Sequence, residues 1–172
     1  GEAFPDLLAS YSTKYAASNK NRTTNLILAS KKINGTVLLP GETFSYNNVV
    51  GERTISAGYK DAAIYLNGQV VDGLGGGICQ ISTTLFNAVL LSNLEIVELH
   101  NHQFIPSYAT AGRDATVVYG VKDFQFKNSR NYAIKIVCSV AIGVASFEIW
   151  GYKQEPEYDV SISASVTSRT DT

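Results

Sequence analysis

Three consecutive glycines that run straight into an apolar helical period constrain this chain more than anything else in it. Leu74-Gly75-Gly76-Gly77-Ile78-Cys79-Gln80 is followed by Ile81-Ser82-Thr83-Thr84-Leu85-Phe86-Asn87-Ala88-Val89-Leu90. Ile81, Leu85, Ala88 and Val89, with Ser92 as a weaker fifth, fall at helical spacing. The pattern predicts a loop that hands Cys79 to the start of a helix. Unpaired N–H groups and the positive end of the helix dipole lie there, and both favour thiolate over thiol. The glycines allow close approach of backbone to a bound acyl group. The amides of Gly75, Gly76, Gly77, Ile78 and Cys79 are candidate oxyanion donors. A buried cysteine after a flexible loop would show the same local pattern.

On either side of this junction the pattern is mostly β. Leu7, Ala9, Tyr11, Thr13 and Tyr15 alternate along a strand, and a helix is expected from about Thr24 to Ile33, capped by Thr23 or Thr24 and stopped by Asn34-Gly35. A short strand, 36–39, leads to a Pro40-Gly41 turn, and Phe44 to Gly58 reads as irregular. Ala63–Leu66 and Gln69–Val71 around Asn67-Gly68 predict a hairpin. After a helix ending near Asn93, strands are expected at 95–104, 115–120, 123–127, 133–140 and 145–150. The fold class is therefore α+β, an antiparallel meander packed against the helix that carries the cysteine. Residues 1–153 form one domain, and the polar 154–172 reads as a linker or the start of a neighbouring domain.

A net charge of -1 argues against an electrostatic nucleic-acid binder, and no apolar run is long enough to span a membrane. The chain starts at Gly1 and has no Met, so it is expected to be a piece of a longer protein. Ten tyrosines with abundant Ser, Thr and Asn suit an extracytoplasmic domain. Cys138 shares a strand face with Ile134, Ile136 and Val140 and reads as a core residue. A Cys79–Cys138 disulfide is the alternative.

The two histidines lie in Glu98-Leu99-His100-Asn101-His102-Gln103-Phe104, where a strand would put Glu98, His100 and His102 on one face. Arg113-Asp114-Ala115-Thr116-Val117 supplies a carboxylate at the start of the next strand. Cysteine at a helix start, histidine on a strand, carboxylate on the neighbouring strand is the order used by papain-like and transglutaminase-like enzymes. Asp114 is then expected to bond the imidazole nitrogen that faces away from Cys79. Each element also has an ordinary explanation as a turn, cap or solvated residue. His100, His102 and Cys79 could instead ligate zinc, although no fourth ligand is evident.

Gly75-Gly76-Gly77-Ile78-Cys79-Gln80-Ile81-Ser82-Thr83-Thr84-Leu85 resembles the signature of the VanW family, named for an accessory protein of vancomycin-resistance clusters. Pro40-Gly41-Glu42-Thr43-Phe44-Ser45, Gly51-Glu52-Arg53-Thr54 with Gly58-Tyr59, and Gly112-Arg113-Asp114-Ala115-Thr116-Val117 are similar to it too. The resemblance spans roughly Phe4 to Gly151. It implies an extracytoplasmic, wall-associated domain acting on peptidoglycan stem peptides, because some members have been described as L,D-transpeptidases with this cysteine as nucleophile. The family histidine is usually followed by serine, which points to His102, although Gln103 follows here.

The resulting expectation is a cofactor-free cysteine acyltransferase. Cys79 is the nucleophile, His102 the base and Asp114 the orienting group. Arg113, Gln80 and His100 are candidates for substrate contact, with Arg113 suited by its charge to a stem carboxylate. A cysteine peptidase or carboxypeptidase on stem peptides is the near neighbour. A non-catalytic wall-binding or regulatory module, using the aromatics and the 44–58 loop as a groove, is the reading from a different class.

Overall fold

The computed structural model describes residues 4–66, 69–102, 106, 108–109 and 112–153. Its elements are β1 (Asp6–Lys14), α1 (Lys20–Ile33), β2 (Val37–Leu38), β3 (Thr43–Ser45), α2 (Tyr46–Val50), β4 (Asp61–Leu66), β5 (Gln69–Leu74), α3 (Ile78–Leu91), β6 (Glu95–Glu98), β7 (Gln125–Lys127), β8 (Ile134–Ala141) and β9 (Val144–Gly151). All strand pairs are antiparallel, in sheets ordered β1-β9-β8-β2, β3-β7-β6 and β4-β5. The class is α+β, as expected. The strands do not run as a simple meander: β1 returns from the N-terminus to pair with β9, and β7 sits between β3 and β6.

Helix α3 packs against β1, β9 and α1. Ile81, Leu85, Ala88 and Val89 have no exposed surface, as their period predicts. The other face is buried too. Gln80, Ser82, Thr83, Thr84 and Asn87 are buried, and every one of them is hydrogen-bonded, which removes the penalty for their burial. Across the core, Phe44 on β3 stacks on Phe126 of β7 with centroids 5.0 Å apart.

Four local expectations are corrected. Helix α1 begins at Lys20, because the Asn19 side chain, not Thr23 or Thr24, accepts from the Arg22 amide at 3.1 Å. The span from Phe44 to Gly58 contains α2, capped by Ser45 Oγ on the Asn48 amide at 3.2 Å and stopped by Gly51 at φ 79°. Strand β6 ends at Glu98, so His100 and His102 lie beyond it. Residues 113–117 belong to no strand, and the expected strand at 115–120 is reduced to the isolated Val118–Lys122 bridge. The Asn67-Gly68 turn, Gln103, Phe104 and the 154–172 tail lie outside the described residues. Among the described residues, no helix is long and apolar enough to cross a membrane.

Candidate active site

The glycine loop is shaped by its own backbone and by close neighbours. Gly75 and Gly77 have φ of +83° and +109°, where a side chain would be strained. A Cβ on Gly76 would stand 2.5 Å from the Ala62 carbonyl. The buried Asn25 side chain donates to Gly76 O at 2.8 Å and to Lys60 O at 2.9 Å, and Tyr46 Oη donates to Ile78 O at 3.0 Å. The amide of Gly75 donates to Lys60 O, that of Gly76 to Gly73 O and that of Ile78 to Gly75 O. Those three expected oxyanion donors are therefore already engaged. The amides of Gly77 and Cys79 have no acceptor among the described residues.

Cys79 is the second residue of α3, and its partly buried thiol meets the segment 113–117. The Val117 amide donates to Sγ at 3.4 Å, and Thr116 Oγ1 lies 3.4 Å from it. Much of the rest of that segment is gripped by the same helix, while the Thr116 amide donates to His100 O at 2.8 Å. Ala115 N donates to Thr83 Oγ1 at 2.9 Å, Ser82 Oγ donates to Ala115 O at 2.6 Å, and Asn87 Nδ2 donates to Arg113 O at 2.9 Å. Positions 79, 83 and 87 recur at i, i+4 and i+8 on one helix stripe, so α3 supplies side-chain partners where a sheet would supply a ladder. The strand expected at 115–120 is not formed; residues 114–117 are buried one after another instead of alternately.

The grip fixes Asp114, and Asp114 fixes His102. Asp114 Oδ2 lies 2.7 Å from His102 Nδ1 and also accepts the His102 backbone amide, while Asn101 Nδ2 donates to Asp114 O at 2.8 Å. The His102 and Asp114 side chains are 5% and 4% exposed. With Nδ1 facing the carboxylate, Nε2 is the ring nitrogen left for the Cys79 thiol, which lines the same cavity and whose ionisation the ring favours. The carboxylate-to-ring contact expected from the sequence is present, made between two loop segments instead of across a strand pair.

Burial alone would raise the Cys79 thiol and neutralise His102. The hydrogen bonds outweigh it. Those from His102, Thr116 and the Val117 amide hold Cys79 below its ordinary value. The carboxylate of Asp114, then Cys79, push His102 up to about 9. Asp114 is held below its usual range against its own burial by the ring and amide of His102. All three shifts favour a thiolate–imidazolium–carboxylate line near neutral pH. Cys138 is the opposite case: burial pushes it up to about 12, and its thiol donates to Ser30 O at 3.1 Å. Both cysteines are free, so they form no bridge.

The remaining sequence candidates lie elsewhere. His100 Nε2 is 2.8 Å from Glu98 Oε2. Gln80 is buried and turned towards β1, donating to Thr13 Oγ1 and Lys14 O. Arg113 donates to Asn87 Oδ1 at 3.1 Å and lies over the Tyr11 ring. None of the three lines the cavity beside Cys79. Among the described residues, no group of three His, Cys, Asp or Glu side chains is placed to hold a metal ion.

That cavity, about 440 Å³, has Gly75, Gly77, Ile78, Cys79, His102 and Thr116 at its base. Its walls include Arg22, Arg53, Tyr108 and Tyr119, which the sequence reading missed. Arg53 stands in the Gly51-Glu52-Arg53-Thr54 motif, a signal that was present. Arg22 occupies the first turn of a helix whose start was placed too late.

Residues 21–150 match the family described as VanW like protein. The chain is 48% identical over 129 residues to "Uncharacterized protein YoaR" of Bacillus subtilis (strain 168), covering 75% of this chain and 43% of that protein. It is 34% identical over 122 residues to "Vancomycin B-type resistance protein VanW" of Enterococcus faecalis (strain ATCC 700802 / V583), covering 68% of this chain and 44% of that protein. The chain thus spans under half the length of these curated relatives. No solved structure shows a significant match.

Proposed function

The chain belongs to the VanW family, and we propose that this domain is an extracytoplasmic cysteine acyltransferase that cross-links peptidoglycan stem peptides. The single observation that carries the reading is the Cys79–His102–Asp114 line beside a cavity, with the thiol held below its ordinary value against its own burial by His102, Thr116 and Val117. Cys79 Sγ attacks the carbonyl carbon of the third stem residue. The C–N bond to the terminal D-alanine breaks, and imidazolium His102 gives its proton to the departing amine. The oxyanion formed in between is met by the amides of Gly77 and Cys79, each such donor being worth roughly 10²–10³ in rate. An acceptor amine then attacks the thioester, passes its proton to His102 and releases Cys79 as thiolate. Water in place of the amine gives a carboxypeptidase.

The test is incubation with defined muropeptides, with mass spectrometry of the products and of the protein. The reading requires a thioester mass on Cys79, cross-linked or trimmed product, and loss of both in Cys79→Ala but not in Cys138→Ala. A folded wild-type protein that binds muropeptide yet forms no adduct is a wall-binding module instead. Full turnover in folded Cys79→Ala ends the proposal.

A further inference from the structure

The cavity contains two cations that the reaction as written does not use. Arg22 and Arg53 stand at the two ends of the glycine loop. The Arg53 stem lies 3.1 Å from where a Gly75 Cβ would be, and the Arg22 stem 3.3 Å from where a Gly77 Cβ would be. Each guanidinium is oriented by neutral acceptors. Arg22 Nη2 donates to Gln80 Oε1 at 2.7 Å; Arg53 donates to Gly51 O at 2.9 Å and to Asn47 Oδ1 at 2.8 Å. Aromatic faces support them, Tyr108 for Arg22 and Tyr46 and Tyr119 for Arg53. Neither arginine is in an ion pair among the described residues. Glu52, the carboxylate on the cavity wall, is solvent-exposed.

Partly buried guanidiniums held by neutral groups keep their charge and several N–H donors for a ligand. Apolar walls at Ala63, Ile64 and Leu74 strengthen the attraction by lowering the local dielectric. Building on the acyltransferase reading, we propose that Arg22 and Arg53 bind the free α-carboxylate of the leaving residue, which restricts the site to the last amide bond of a peptide. That carboxylate lies one carbon beyond the scissile nitrogen. An internal bond presents a neutral amide there and leaves both guanidiniums unpaired, so the cavity discriminates by charge as well as by shape.

The test separates carboxylate binding from acyl transfer. Nα,Nε-diacetyl-L-lysyl-D-alanine and its C-terminal carboxamide are titrated into the Cys79→Ala protein by calorimetry at two salt concentrations. The acid is expected to bind roughly tenfold to a hundredfold more tightly than the amide, the usual range for hydrogen bonds between charged partners. Raising the salt should weaken the acid and not the amide. Arg22→Gln and Arg53→Gln should bring the acid towards the amide, and Arg53→Lys should restore part of the difference. Unchanged amide binding reports that each variant is folded. Equal affinity for acid and amide, or no measurable binding of the acid, overturns the proposal, as does a preference for the acid that survives both glutamine variants. Acid-selective binding without a Cys79 adduct in the wild type keeps the carboxylate site and refutes the acyltransferase. Adduct formation at equal rates from acid and amide does the reverse.

Discussion

Asp114→Asn separates charge from shape at the site. The carboxylate accepts both the ring N–H and the backbone N–H of His102; asparagine keeps the volume but loses the charge. His102 is raised from 6.5 to about 9, which at about 1.4 kcal/mol per tenfold corresponds to on the order of 3 kcal/mol in favour of the imidazolium. Asp114 and the Cys79 thiolate share that preference, and with both side chains of the His102–Asp114 pair under a tenth exposed, solvent screens little of it. If Asp114 supplies about half, its loss costs about 1–2 kcal/mol and shifts the ion-pair equilibrium roughly tenfold. His102 should then titrate below about 9, seen directly by NMR because the chain has only 2 histidines. The thiol, with a weaker imidazolium beside it, should ionise at higher pH, measured as the pH dependence of iodoacetamide alkylation at Cys79. Turnover should fall but persist, over a narrower pH range squeezed from both sides. The stability difference between wild type and variant has its own signature. A raised histidine stabilises the fold fully below its unfolded value of 6.5 and loses that effect as pH rises through about 9; a lowered carboxyl stabilises above 3.8 and loses it as pH falls. The difference should therefore be greatest between those two values and disappear at either extreme. A folded variant with an unchanged His102 titration and an unchanged alkylation profile would refute the coupling.

Two further substitutions test how the site is held. Thr83→Val keeps the shape but leaves the Ala115 amide without its buried acceptor, so it should cost about 1–3 kcal/mol in denaturant unfolding. It should also slow Cys79 alkylation by loosening the segment that carries Asp114. Gly76→Ala would press a methyl group to 2.5 Å from the Ala62 backbone. Its cost should equal or exceed the 1–3 kcal/mol usual for overpacking, read as lost soluble yield or a lowered melting temperature.

How much of this was legible in sequence differs from residue to residue. Helix α3 was legible because its apolar period and its glycine entry agree. The choice of His102 over His100 was not readable from spacing, since both stand near Glu98; it came from the family resemblance. In the structure the difference is plain, with His100 turned to Glu98 and His102 to Asp114. Helix α2 was missed because 5 residues are too few for a period, although Ser45, Asn48 and Gly51 carried its cap and its stop. Residues 115–120 were read as a strand because an apolar, β-branched run looks alike whether its partner is a sheet or a row of hydroxyl and amide side chains. The buried Ser82, Thr83 and Asn87 among the apolar positions of α3 were the available sign of that partner. Arg22 and Arg53 converge only through the tertiary fold, which local pattern does not encode.

The stripe by which α3 grips residues 113–117 ties Cys79, Asp114 and the centre of the core together. Amide exchange along α3 and at Ala115 should therefore require opening of the whole domain, whereas the exposed cavity wall at Tyr119 should open at lower cost. Under the proposed function, chemistry and recognition are thus divided between two levels of stability. A substitution that alters the substrate taken need not disturb the fold, while one that moves the thiol from its histidine must first loosen the core.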